Sequence, residues 1–472
     1  MITAQTNASA EVTAIDSAAR WPLLLLLVSA IKWLVLSGVL ALIASIQLVQ
    51  PAFLADCPVF THGRTVALQE SIFIYGWAAN AGLALALWVL GRLGGSPLRA
   101  TNWIVGGTIM WNVAVALGLI GIATGDATSI AFLQLPRYVQ LMMVVAYGAM
   151  AVSGVLAWAG RRTDGTFAAQ WYAVAALFLF PWLFSAAQIM LLWSPVRGTM
   201  QAVASGWFSQ GVWTLWLAPL ALAPAYYIIP KITGKALPSY EFAPHSFWCL
   251  LVVGGFTGGR HLVGGPVPAW IASLAIVSCS LLLFHYFVVF MNLRGGFGRG
   301  STASRLVAIG LLAYVLGGFV DAITAFRDIA AVTQFTFVEV AQQQLALYGG
   351  FTLILFGAIY YAVPRLVGQA WSSGALVSAH AGLALLGVAL LVVSLLAAGW
   401  AQGHDLLDEK ISFPAIAAHM RMWLLVAAAA QGVLLLGNLL LLVNFLKTAC
   451  PRAAAPGENP FRQPSPMEAT AS

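Results

Sequence analysis

The sequence is poor in charge and in paired cysteines, and each shortage excludes a class of protein. Only 8% of the 472 residues are charged, whereas soluble domains carry about 25%, so the chain is not a soluble protein. The four cysteines are scattered over positions 57, 249, 279 and 450. A zinc site or an attached c-type haem needs closely paired cysteines, so neither is expected here.

Long apolar runs make up most of the remaining sequence, which is 61% hydrophobic. A run of about 20 apolar residues crosses about 30 Å of hydrocarbon, and in so apolar a chain only helices satisfy the backbone there. The sequence therefore predicts an all-α integral membrane protein. The twelve predicted transmembrane helices span residues 22–50, 67–91, 101–123, 136–159, 167–193, 207–229, 245–259, 268–292, 304–325, 343–363, 375–399 and 416–446.

The positive charges indicate an orientation for these twelve helices. Fourteen lysines and arginines fall on the side of the two termini and seven on the other side, while Lys32 lies inside the first span. Cytoplasmic loops carry the excess of positive charge. We therefore expect a cytoplasmic tail at 1–20, a membrane domain at 21–447 and a disordered cytoplasmic tail at 448–472. The net charge of +7 is explained by topology, so the expected surrounding is a lipid bilayer and no nucleic-acid partner is expected.

Five segments of the chain carry a recognisable order of motifs. They are "HGRTVALQESIFIYGW" at 62–77, "GWFSQGVWTLWLAPLALAPAYYIIPK" at 206–231, "PSYEFAPHSFWCLLVVGGFTGGRHLVGGPVPAW" at 238–270, "TQFTFVEVAQQQLALYGGFTLILFGAIYYAVPRLVG" at 333–368 and "SAHAGLALLGVALLVVSLLAAGWAQG" at 378–403. In order and spacing these segments resemble the catalytic subunit (subunit I) of cbb-type haem–copper cytochrome c oxidases, and the resemblance covers most of the chain. It implies a twelve-helix subunit I fold, haem b and copper as the family's cofactors, and a bacterial inner (cytoplasmic) membrane location.

The same resemblance assigns the family's haem ligands to glutamines. The axial ligands of the low-spin haem match Gln69 and Gln344, and the ligand of the high-spin haem matches Gln342. Residues two apart on a helix point about 200° apart, so Gln342 and Gln344 would face different haems. A further family histidine near the haem propionates falls on Gln334.

The positions that match the family's copper ligands have also lost most of their histidines. The three histidine positions of the copper site match Gln210, Arg260 and His261, and the family's cross-linked tyrosine falls on Gly254. Imidazole is a strong ligand for iron and copper, whereas an amide is a weak one and arginine is permanently positive. Five of the six ligand positions have therefore lost their histidine. None of the remaining histidines forms a pair at helical spacing.

These substitutions predict a pseudo-oxidase without its own haem or copper, acting as a structural or regulatory partner of other respiratory-complex subunits. We expect large side chains to fill the former haem space, with Trp213, Trp216 and Tyr348 as candidates. One alternative is an active terminal oxidase or nitric oxide reductase subunit with unusual ligation. Another is a transporter, although the apolar segments hold few carboxylates, the usual mark of ion coupling. Taken alone, three successive glutamines could simply cap a helix.

Overall fold

Twelve helices dominate the computed structural model, which describes residues 2–297 and 300–450, with side chains from Glu11 onward. The described part of the chain is helical between short connections and contains no strand. The helices are α1 Ile2–Val49, α2 His62–Gly94, α3 Thr101–Thr124, α4 Arg137–Ala159, α5 Ala168–Trp193, α6 Thr199–Thr233, α7 Ala243–Val253, α8 Ala269–Phe297, α9 Thr302–Thr324, α10 Phe337–Val367, α11 Gly374–Leu407 and α12 Phe413–Ala449. A short helix, Arg327–Thr333, precedes α10.

The all-helical membrane fold predicted from the sequence is confirmed, with one difference in the count of spans. Among the described residues, 11 helices are long and apolar enough to cross a membrane, and α7 is not one of them. The predicted seventh span is instead divided into α7 and a 3₁₀ helix, Gly254–Leu262. Glycine has a low helix propensity, and this segment contains four glycines. A side chain at Gly258 would overlap the carbonyl oxygen of Gly206 in α6.

Both ends of the chain are helical up to the limit of the described residues. Helix α1 begins at Ile2, inside the segment predicted as a tail. Its Asp16 accepts a hydrogen bond of 3.0 Å from Trp88 and pairs with Arg92 at 3.2 Å, which fixes α1 against α2. Helix α12 continues to Ala449. Most of the tail predicted at 448–472 lies outside the described residues.

Three helices, α2, α6 and α10, form the centre of the membrane domain. Their apolar segments are wholly or almost wholly buried, whereas those of the other long helices are about half buried. The matched haem and copper positions on Gln69, Gln210 and Gln344 lie on these three central helices. The surrounding helices therefore separate these three glutamines from the lipid.

Wide π-helical turns follow each of these three glutamines. Ile72–Ala78 begins three residues after Gln69, and Val212–Leu217 begins two residues after Gln210. Leu345–Thr352 begins directly after Gln344. A fourth π segment, Ile189–Trp193, ends α5. Such turns within α-helices occur frequently at functional sites. Three of the four π segments therefore follow a glutamine that matches a metal-ligand position of the family.

Candidate functional site

The six matched positions line two adjacent cavities between the central helices. Gln69 and Gln344 line the smaller one, which we call the amide pocket. Gln210, Arg260, His261 and Gln342 line the larger one, which we call the charged cavity. The two cavities share four wall residues: Glu70, Phe132, Gln343 and Leu347. The structure thus separates the low-spin haem positions from the high-spin haem and copper positions, as the resemblance implies.

The amide pocket is narrow. It leaves about 30 Å³ for water, enough for roughly two molecules at about 10–15 Å³ each. Tyr348 occupies one side, where its hydroxyl donates a hydrogen bond of 2.9 Å to Asn438 Oδ1. The Tyr348 ring lies 6.0 Å from the ring of Phe73, measured between centroids. An aromatic side chain therefore forms part of the wall of this pocket.

Polar groups line this small space, and apart from the shared Glu70 they are uncharged. Gln69 Nε2 donates to Ser37 Oγ at 3.3 Å, and Ser37 Oγ donates back to the carbonyl oxygen of Gln69 at 3.2 Å. The buried Nδ2 of Asn438 has no hydrogen-bond partner among the described residues. Gln431 and Gln344 complete the polar lining. A pocket of this size and polarity suits one or two ordered waters that satisfy the free amide groups.

The charged cavity is about ten times larger, at about 350 Å³, and an ion pair dominates it. Arg260 Nη2 lies 3.2 Å from Asp321 Oδ1, with the two side chains 10% and 19% exposed. The guanidinium therefore occupies a matched copper position together with its own counter-ion. Nearby, Gln342 Nε2 donates a hydrogen bond of 2.6 Å to Thr324 Oγ1.

His261 is the one histidine retained among the matched ligands, and protein groups hold it. Its Nδ1 lies 3.2 Å from Glu339 Oε1, and Gln334 Nε2 donates to its backbone carbonyl at 2.5 Å. The third copper position, Gln210, has no side-chain hydrogen bond within the described part of the chain. A single imidazole beside an arginine and an amide lacks the donor set that copper requires.

Glu70 stands in the wall between the two cavities. Gln134 Nε2 donates to its Oε2 at 2.6 Å, and Gln343 Nε2 donates to its Oε1 at 3.4 Å. Each carboxyl oxygen thus has an amide partner, as a buried carboxyl group requires. Gln343, the middle glutamine of the run at 342–344, therefore hydrogen-bonds to Glu70 and does not match a haem ligand.

Gly254, at the cross-linked tyrosine position, packs closely against α6. A Cβ atom there would lie 3.1 Å from Thr214 Cβ in α6. The Thr214 hydroxyl donates to the Gly254 carbonyl at 3.2 Å. A side chain at this position would therefore require α6 or the 3₁₀ segment after α7 to shift slightly.

The other buried histidines are engaged in hydrogen bonds away from the two cavities. His285 contacts Ser246 Oγ at 2.9 Å and Tyr314 OH at 2.8 Å. His380 contacts Tyr360 OH at 2.7 Å. Within the described ranges, no three histidine, cysteine or acidic side chains come together in a group that could hold a metal ion. The residues present therefore do not fit the family's haem and copper sites.

Two of the three expected space-filling side chains line the cavities. Tyr348 lies in the amide pocket and Trp213 in the charged cavity. Trp216 lines neither cavity: its ring lies 4.0 Å from that of Phe180, and its Nε1 donates to Tyr147 OH. Gln210 and Trp213 are three residues apart and share one face of α6, and both line the charged cavity, whereas Trp216 falls on the side of α6 that packs against α5.

Sequence reasoning missed the polar residues that α1 and α12 contribute. Ser37, Gln431 and Asn438 line the amide pocket, yet none of them matches a metal ligand. One signal was available, because Gln431 and Asn438 are seven residues apart in an apolar helix and therefore share one face. Glu70, Asp321 and Glu339 are among the few carboxylates in or beside the apolar segments, and all three line the charged cavity.

The fold and the two cavities define a class: multi-pass membrane proteins built like subunit I of the haem–copper oxidases. The family model described as "Cytochrome C and Quinol oxidase polypeptide I" matches residues 22–434. The chain therefore belongs to this family.

Individual relatives have low sequence identity to this chain, but the alignments cover most of both chains. The cbb3-type cytochrome c oxidase subunit CcoN1 of Stutzerimonas stutzeri is 23% identical over 386 residues, which cover 79% of this chain and 81% of the relative. A cytochrome c oxidase subunit 1 homologue of Agrobacterium tumefaciens (strain T37) is 23% identical over 384 residues, covering 78% and 71%. A haem–copper terminal oxidase solved as a dimer by cryo-EM matches with a TM-score of 0.62 at 16% identity, covering 94% of this chain and 86% of the other. This last likeness supports the fold.

Proposed function

We propose that this chain is a haem-free and copper-free member of its family that acts as a structural or regulatory subunit of a respiratory membrane complex. The observation that carries the proposal is the Arg260–Asp321 ion pair at 3.2 Å. Arginine stays protonated in proteins. Its positive charge repels a copper ion at the same position, and its carboxylate partner neutralises it without metal.

The amide pocket supports the haem part of the proposal. Neither Gln69 nor Gln344 offers an imidazole, although both line the pocket at positions that match axial haem ligands. Haem iron in proteins is held by histidine, cysteine, methionine or tyrosine. Of these types Tyr348 alone is among the described residues that line the pocket, and its hydroxyl donates to Asn438.

Oxygen uptake tests the proposal against the enzyme alternative. The purified chain, supplied with reduced cytochrome c or quinol, should consume oxygen no faster than an equal preparation from cells that lack it. Nitric oxide consumption should be equally absent. Turnover above this control that disappears in an Asp321→Asn variant would establish unusual ligation and overturn the proposal.

The proposed location is the bacterial inner membrane, with both termini in the cytoplasm. Cys450, at the end of α12, is exposed, and Cys57 lies between α1 and α2 on the opposite side. In intact spheroplasts, a membrane-impermeant maleimide should label Cys57 and leave Cys450 unlabelled until the cells are lysed. Cys57→Ser and Cys450→Ser variants identify each signal. Labelling of Cys450 before lysis would reverse the orientation.

A further inference from the structure

Lys32 is a charged side chain exposed on a membrane-spanning helix. It lies on α1 in a face that is otherwise apolar, with Leu36 42% exposed and Val39 37% exposed. Neither a hydrogen bond nor an ion pair joins Lys32 to any other described residue. Charged groups within membrane spans almost always face the protein interior or pair with another group. Lys32 does neither.

The neighbouring contacts place Lys32 deep in the membrane. The adjacent Trp33 donates a hydrogen bond of 2.6 Å to Asn112 Oδ1, and Asn112 is at the centre of α3, Thr101–Thr124. Trp21, 79% exposed, marks the nearer end of the α1 span. At 1.5 Å per residue, Lys32 is about 17 Å from Trp21 along the helix. A lysine side chain is too short to reach the headgroups over that distance.

A second copy of this chain does not supply a counter-charge at that depth. The partly buried carboxylates of Glu70, Asp321 and Glu339 line the internal charged cavity. A symmetric contact through α1 would bring two copies of the same face together, and with them two lysines. The exposed described carboxylates lie in loops, in short helices or in the polar part of α1 that precedes its apolar run: Glu11, Asp56, Asp126, Asp164, Glu241, Asp328, Asp408 and Glu409.

We propose that the α1 face around Lys32 is the docking surface for a transmembrane helix of a different subunit, which presents an aspartate or glutamate at mid-membrane depth. Helices α3 and α12 flank this face. An intramembrane ion pair would fix both the register and the identity of the incoming helix, since an apolar helix without the acid would leave the lysine unpaired. The proposal rests on the partner role proposed above and not on the loss of the haems.

Site-specific photocrosslinking in native membranes tests the docking surface. Benzoylphenylalanine replaces Leu36, one helical turn from Lys32, and adducts are identified by mass spectrometry of the crosslinked peptide. The expected adduct is a transmembrane segment of another protein that contains Asp or Glu. Lys32→Leu should lower its yield about tenfold, the effect of losing about 1.4 kcal/mol of affinity, whereas Lys32→Arg should retain most of it.

Controls separate this outcome from its rivals. The same probe at Leu281 on α8, 54% exposed, should give lipid adducts that are insensitive to Lys32. Lys32→Glu should abolish the Leu36 adduct, and exchanging the partner's acid for lysine should restore it. Adducts only with lipid or with a second copy, a partner segment without an acid, or a yield unchanged in Lys32→Leu would each overturn the proposal. The assay has no haem readout, so its failure leaves the haem-free assignment intact.

Discussion

The amide pocket and the charged cavity both lie at positions that match family cofactor ligands, yet they differ in space and in charge. In the amide pocket, amide groups and the Tyr348 ring leave about 30 Å³ for water. In the charged cavity, about 350 Å³ remains and an arginine supplies a fixed positive charge. If the chain is haem-free and copper-free, as proposed, the comparison shows two ways to stabilise such a site: packing side chains into it, or placing an ion pair where the metal would be.

The largest expected effect comes from breaking the ion pair in the charged cavity. Arg260→Leu leaves the carboxylate of Asp321 buried without its partner, which costs about 3 kcal/mol in such cases. The free energy of unfolding, measured by SDS titration in mixed micelles, should fall by that amount. The double variant Arg260→Leu, Asp321→Leu should recover most of the loss. Equal stability of Arg260→Leu and wild type would mean that the pair does not replace the cofactor's charge.

Replacing Glu70, which lies in the wall shared by the two cavities, should lower the free energy of unfolding by a smaller amount. Glu70→Gln keeps the size of the side chain but offers one acceptor oxygen to two amide donors, Gln134 and Gln343. Since hydrogen bonds to charged groups contribute about 1.5–3 kcal/mol, we expect a loss of about 2 kcal/mol in the same titration. Adding Gln343→Leu should then cost little more. A fully stable Glu70→Gln variant would show that the two cavities are not joined through an ionised carboxylate.

A smaller loss is expected in the amide pocket. Tyr348→Phe keeps the ring that fills the space and removes only the hydrogen bond to Asn438. A single neutral hydrogen bond contributes about 1 kcal/mol. Tyr348→Ala is the matched control, because deleting the ring also opens a cavity and should cost several times more. If the two variants were equally stable, the ring would not be what closes the pocket.

The smallest effect should come from Gln210, whose amide makes no side-chain hydrogen bond to the described chain. Gln210→Leu should change stability by less than about 0.5 kcal/mol, because no structural mechanism for a larger loss applies. A loss comparable to that of Arg260→Leu would mean that Gln210 belongs to the charged network.

Sequence reasoning predicted the helices well, because apolar run length is a local property of the chain. It placed α7 as an unbroken span, and the glycines from Gly254 onward produced a 3₁₀ continuation instead. It did not reveal that Arg260 meets Asp321, since residues 61 apart in the sequence are brought together only by tertiary packing. Nor did it show that the matched positions line two cavities of different size, because that difference depends on side chains that α1 and α12 contribute.

A reduced-minus-oxidised absorption spectrum of the purified wild-type chain, from haem-replete cells of its own host, tests the central claim most directly. We predict no Soret or α band at a stoichiometric level. The Gln69→His, Gln344→His variant supplies two axial imidazoles: a bis-histidine haem spectrum in it would show that the amide pocket still admits a macrocycle, and one that appears only after Tyr348→Ala is added would show that the Tyr348 ring fills the space. One haem per wild-type chain would contradict the account.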